Sequence, residues 1–134
     1  MKGHARHLMT ERVLALAPGT AITDVVRTFT AGGLSGAPVV DEGDRVVGFV
    51  SETDLLGALL RGDPGGVTAG DLMTHPPIVA DEFMTTDEVM SLLRESRIHH
   101  LPVVREGRLV GIITPRDILR YFVGQVLPPP DRTA

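Results

Sequence analysis

The chain has 134 residues, 43% hydrophobic and 22% charged, the composition of one folded domain or of two small halves sharing a core. It has no cysteine, which removes disulfides, cysteine-held zinc and thiol nucleophiles together and suits a reducing cytoplasm. Thirteen Lys+Arg against 17 Asp+Glu give a net charge of -4; with no basic run and no apolar stretch of roughly 18 residues, neither nucleic-acid binding, a signal peptide nor a membrane anchor is expected.

Taken in chain order, Leu8-Met9-Thr10 precedes a short apolar run at 13–16 that reads as a strand. Ile22, Val25, Val26 and Phe29 then fall on one face of a helix predicted over 20–31. Ala37-Pro38-Val39-Val40, a Glu42-Gly43 turn and a second apolar run over 45–50 predict a β-hairpin. Ser51 to Asp54 opens an apolar helix, and residues 61–66, rich in glycine, form a surface linker.

The same order then recurs. Leu72-Met73-Thr74 and Leu101-Pro102-Val103-Val104 each lie 64 residues after their counterparts, and Gly111 and Asp117 lie 63 after Gly48 and Asp54. Two matches in one register mark an internal duplication, and the one-residue change falls at Asp44, in the hairpin turn. A strand at 78–80, a helix on Thr86, Val89, Met90 and Leu93, and a hairpin ending at Ile113 complete the second copy. The expected fold class is α+β, each repeat running strand, helix, strand, strand, helix. Repeat 1 spans 8–62, a linker 63–70, repeat 2 71–124 and an extended tail 125–134. Each repeat is marginal alone, so the two are expected to pair through their sheets about a pseudo-twofold axis.

Ser51-x-x-Asp54 and Thr114-x-x-Asp117 have the spacing of a helix capping box, and Pro115 stands at the favoured first helical position. Capping alone would account for both. The ordered set of Leu-Met-Thr, helix, Ile98-His99-His100-Leu101-Pro102-Val103-Val104, Leu109-Val110-Gly111-Ile112-Ile113-Thr114 and Asp117 nevertheless resembles the cystathionine-β-synthase (CBS) domain. The duplication resembles a tandem pair of such domains, the Bateman module, over nearly the whole chain.

That resemblance implies a non-catalytic regulatory module. Its ligand is an adenosine-containing molecule such as AMP, ADP, ATP, NAD or S-adenosylmethionine, bound in clefts between the repeats, and no other cofactor is required. It implies that Asp54 and Asp117 accept from ribose hydroxyls while Ser51 and Thr114, at helix starts, face phosphate. Thr10, Leu14, Leu34 and Ser35 would complete the Asp117 cleft, and Thr74, Ile78, Ile98 and His99 the Asp54 cleft; plain core packing is the alternative for the four aliphatic residues. Arg116 would make the Asp117 cleft the more anion-loving, since its counterpart Thr53 brings no charge.

His99 and His100 are adjacent on an extended segment and point to opposite sides, so no metal site is expected even with His75 nearby. One of them lining the cleft would make binding pH-dependent. Leu55, Leu56, Leu59 and Leu60, with Ile118, Leu119, Tyr121, Phe122 and Val123, cover more of their helices than one buried stripe needs. A homodimer through these helices, Leu92 contributing, matches the resemblance. The repeats take up nearly all of this sequence, so, unless it is part of a longer protein, signalling to a protein partner in trans is expected. A ligand-free interaction module is the alternative, and no nucleophile-and-base pair or phosphate loop points to an enzyme.

Overall fold

Ile22, Val25 and Phe29 recur at helical spacing and bury one face of α2 (Ile22–Gly32), which Gly33 ends in the left-handed conformation at φ 62. The computed structural model describes residues 3–62, 65–125 and 127–130. Helix α1 (Ala5–Leu8) precedes α2, and β1 (Gly36–Val40) and β2 (Val46–Ser51) follow it as an antiparallel hairpin leading into α3 (Glu52–Leu60). A single turn, α4 (Ala69–Leu72), opens the second half. It continues through β3 (Ala80–Asp81), α5 (Thr86–Ser96), the hairpin of β4 (Leu101–Arg105) and β5 (Arg108–Ile113), and α6 (Pro115–Gln125). Helix α5 starts from a reciprocal Thr85/Glu88 capping box and buries Val89 and Leu93.

The strands expected at 13–16 and 78–80 shrink to a single parallel bridge from Leu16 to Val39 and to the two-residue β3, which runs parallel to β4. Pro18 follows the first segment, and Pro76 and Pro77 precede the second. Without N–H groups they cannot extend a ladder. Leu14 and Ile78 turn outward, 45% and 42% exposed.

Among the described residues the buried side chains form two cores. Leu16, Ile22, Val25, Phe29, Val39, Val50, Leu55 and Ala69 build one, and Ala5, Leu8, Ala80, Val89, Leu101, Val103 and Ile113 the other. Each Val, Leu, Ile or Phe among them contributes about 1.5–3 kcal/mol on burial. Each half thus has a core of its own, in which its sheet packs against its own helices.

The halves are tied by exchange. Helix α1, at the start of the chain, packs into the second core, whereas Ala69 of α4 enters the first, with Leu72 and Met73 against it. The segment placed at 63–70 as linker is only partly one: Ile22 N–H donates to Val67 O at 3.0 Å and Ala69 N–H to Thr20 O at 2.9 Å. Residues 63 and 64 lie outside the described residues. Thr10 bridges Ile112 of β5, and its counterpart Thr74 bridges Phe49 of β2. Arg45 bridges Arg108, its own counterpart, which marks the pseudo-twofold axis. Gly48 and Gly111 let these straps lie on the sheets, because a Cβ at either would strike Met73 or Met9. In the tail, Gln125 closes α6, 127–130 are exposed without regular structure, and 131–134 lie outside the described residues.

Candidate ligand-binding site

Helix α3 begins where β2 ends, and Ser51 caps it. Ser51 N–H and Oγ–H both donate to Asp54 Oδ2, at 2.8 and 2.9 Å, and Asp54 N–H returns a bond to Ser51 Oγ at 3.2 Å. Capping thus fixes the half-buried carboxylate by one oxygen, and Oδ1 makes no hydrogen bond among the described residues.

In front of it lies a cavity of about 510 Å³ built by both repeats. Repeat 1 supplies Ser35, Phe49, Ser51, Glu52, Thr53 and Asp54; repeat 2 supplies Thr74, Pro77, Ile78, Arg97, Ile98, His99, His100 and Pro102. His100 Nε2 lies 2.9 Å from Ser35 Oγ, and its ring leans on Phe49 at 5.3 Å between centroids. Burial and the neighbouring His99 hold the His100 imidazole below its ordinary pKa, against the opposing pull of Glu52. It is neutral at neutral pH and bonds Ser35 as donor or acceptor. The site offers flat apolar walls for an aromatic ring, an oriented carboxylate for a diol and a guanidinium for an anion.

Asp117 has the same capping geometry and a different load. Thr114 N–H and Oγ–H donate to Oδ2 at 2.8 and 3.1 Å. Thr10 Oγ–H and Arg120 Nη1 donate to Oδ1 at 2.9 and 3.1 Å. Both oxygens are engaged, and Asp117 is 6% exposed. The carboxylate clasps the N-terminal strap to α6.

The structure therefore brings Ser51, Thr53, Asp54, Thr74, Ile78, Ile98, His99 and His100 together around one cavity, with the repeats crossed as expected. Thr10 and Thr114 both donate to Asp117, but the rest of that expected set disperses. Ser35 is drawn to His100 on the Asp54 side, Leu34 packs against the first core, and Leu14 is exposed. Arg116 is exposed on the first turn of α6; the cation on Asp117 is Arg120. Glu52, which flanks Asp54 in the sequence, also lines the cavity, and the lining residues not expected from the sequence are Arg97, Phe49, Pro77 and Pro102. The duplication itself carried the missing signal: Arg97 aligns with Gly33, and Arg120 with Gly57. Among the described residues no group of three or more His, Asp or Glu is placed to hold a metal ion, and no helix is long and apolar enough to cross a membrane.

The family model described as CBS domain matches twice, over residues 5–61 and 69–124. The uncharacterized protein MJ1225 of Methanocaldococcus jannaschii is 32% identical over 117 residues, 87% of this chain and 42% of its own length. The chain spans between 22% and 42% of the length of three curated relatives it matches. Among solved structures, CBSX2 in complex with AMP superposes with a TM-score of 0.82 at 30% identity, covering 90% of this chain and 96% of that one. The CBS domain pair of protein MJ0100, in complex with 5-methylthioadenosine and S-adenosyl-L-methionine, gives 0.80 at 25% identity, covering 93% and 99%. Two family matches over the two repeats, with the same fold in CBS-pair structures, establish that this chain belongs to the CBS-domain family as a tandem CBS pair.

Proposed function

We propose that this chain is a non-catalytic sensor that binds one adenosyl ligand in the Asp54 cleft and passes the state of that cleft to a protein partner in trans, in the cytoplasm. The observation that carries the reading is the cavity itself: it needs both repeats, and its polar floor is a carboxylate with one oxygen fixed and one uncommitted. Phe49, Ile78 and Ile98 suit the adenine, Asp54 Oδ1 the ribose hydroxyls, and Ser51 and Thr53 the start of α3 beside them. A ligand held this way bridges the repeats, which gives it leverage over their relative position.

The AMP, 5-methylthioadenosine and S-adenosylmethionine held by similar CBS-pair proteins support the adenosyl class. A homodimer through α3 and α6 belongs to the same proposal. It would cover Leu56, Leu60, Leu119 and Val123, which are 59%, 88%, 66% and 60% exposed. Equilibrium titration with AMP, ADP, ATP, NAD and S-adenosylmethionine tests the ligand: at least one binds, and Asp54→Ala weakens it by about tenfold or more. A folded protein that takes none of the five is instead the ligand-free interaction module, the reading favoured by the engaged carboxylate of Asp117.

A further inference from the structure

Among the described residues, three other than glycine adopt positive φ: Asp44 at 63, Glu106 at 52 and Arg97 at 55. Asp44 and Glu106 sit in the tight turns of the two hairpins, where that conformation closes the turn. Arg97 is different. It ends α5 in the left-handed conformation, a position that glycine fills most easily and that Gly33 fills at the end of α2, with φ 62. Repeat 2 thus carries a long charged side chain where its own duplicate uses glycine, at a cost to the backbone.

The side chain reaches the one place where that cost has a return. Arg97 lines the Asp54 cavity, makes no hydrogen bond or ion pair among the described residues, and is the only Arg or Lys on the cavity wall. His99 and Ser51 line the same cavity, while the opposing charges there are Asp54, capped by Ser51, and Glu52 on the first turn of α3. An uncommitted guanidinium beside polar donors is built to meet an anion that the ligand brings.

We infer that Arg97 is the specificity-determining residue of this cleft and selects an adenosyl ligand bearing a phosphate over one bearing none or carrying a sulfonium cation. The inference rests on the adenosyl reading proposed above. It also reverses the charge preference expected from Arg116, since the cation falls in the Asp54 cleft.

The test compares AMP, adenosine and S-adenosylmethionine on the wild-type chain, Arg97→Gly and Arg97→Lys, with a melting curve for each. Wild type should bind AMP at least about tenfold more tightly than adenosine. Arg97→Gly should remove most of that margin while leaving adenosine affinity unchanged and the melting temperature equal or higher, because glycine relieves the backbone. Arg97→Lys should restore part of the AMP preference. Equal affinity of wild type for AMP and adenosine, or a loss of both ligands together in Arg97→Gly, overturns the inference and leaves the adenosyl reading standing. Absence of binding by all three ligands to wild type overturns both.

Discussion

Asp117 accepts from Thr10, Arg120 and both donors of Thr114, so truncating it strands several donors and a helix cap together. Asp117→Ala should cost about 2–4 kcal/mol in urea unfolding, and Asp54→Ala, which loses the cap alone, about 1 kcal/mol. Equal losses would contradict the division of roles between the two aspartates. His100 sets a pH dependence whose sign follows from its burial: the folded chain resists protonating it, whereas the unfolded chain protonates it near the ordinary value of 6.5. Below about 6.5 the unfolded state binds more protons, so stability falls as pH drops through that window. A melting series from pH 8 to 5 should show the fall, and His100→Asn should flatten it. Capping spacing was legible in the sequence, because it needs only Ser51-x-x-Asp54 and Thr114-x-x-Asp117. The different loads on the two aspartates were not, since they depend on Arg120 reaching back one turn and on which strap crosses which hairpin.

Helices and hairpins were the most legible elements, because α2, α5 and both hairpins each declare a period and a turn of their own. The segments that cross between repeats were the least. Residues 13–16 and 78–80 are apolar enough for strands, but neighbouring prolines withhold donors, and the clefts and surface take their side chains. The exchange of α1 and α4 between the cores was also hidden, since a Leu-Met-Thr segment reads the same whichever sheet it lies on. On α3 and α6 the excess of apolar residues is borne out as exposure rather than burial, with Leu60 at 88% and Leu119 at 66%. In sedimentation at tens of micromolar the wild-type chain should run as a dimer. Leu60→Lys combined with Leu119→Lys should run as a monomer with unchanged circular dichroism, and a monomeric wild type would contradict the proposed interface.

At the scale of the molecule, duplication has produced two helix starts with the same capping geometry and only one uncommitted carboxylate. Part of the divergence lies at single positions: Gly57 brings no cation to Asp54 where Arg120 reaches Asp117, and Arg97 brings to the Asp54 cleft a charge that Gly33 lacks; the rest lies in placement, since Thr10 bonds Asp117 whereas its identical counterpart Thr74 pairs with Phe49. The reciprocal straps, Thr10 on β5 and Thr74 on β2, mean that neither half completes its core alone. The proposed ligand, seated between the repeats, would therefore act on the contact that holds the fold together. The most direct measurement of this account is the calorimetric stoichiometry of AMP binding to the wild-type chain, Asp54→Ala and Asp117→Ala. Wild type should bind one AMP per chain, Asp54→Ala should lose that site and folded Asp117→Ala should keep it. Two equivalent sites per chain, or a single site removed by Asp117→Ala and kept by Asp54→Ala, would contradict it.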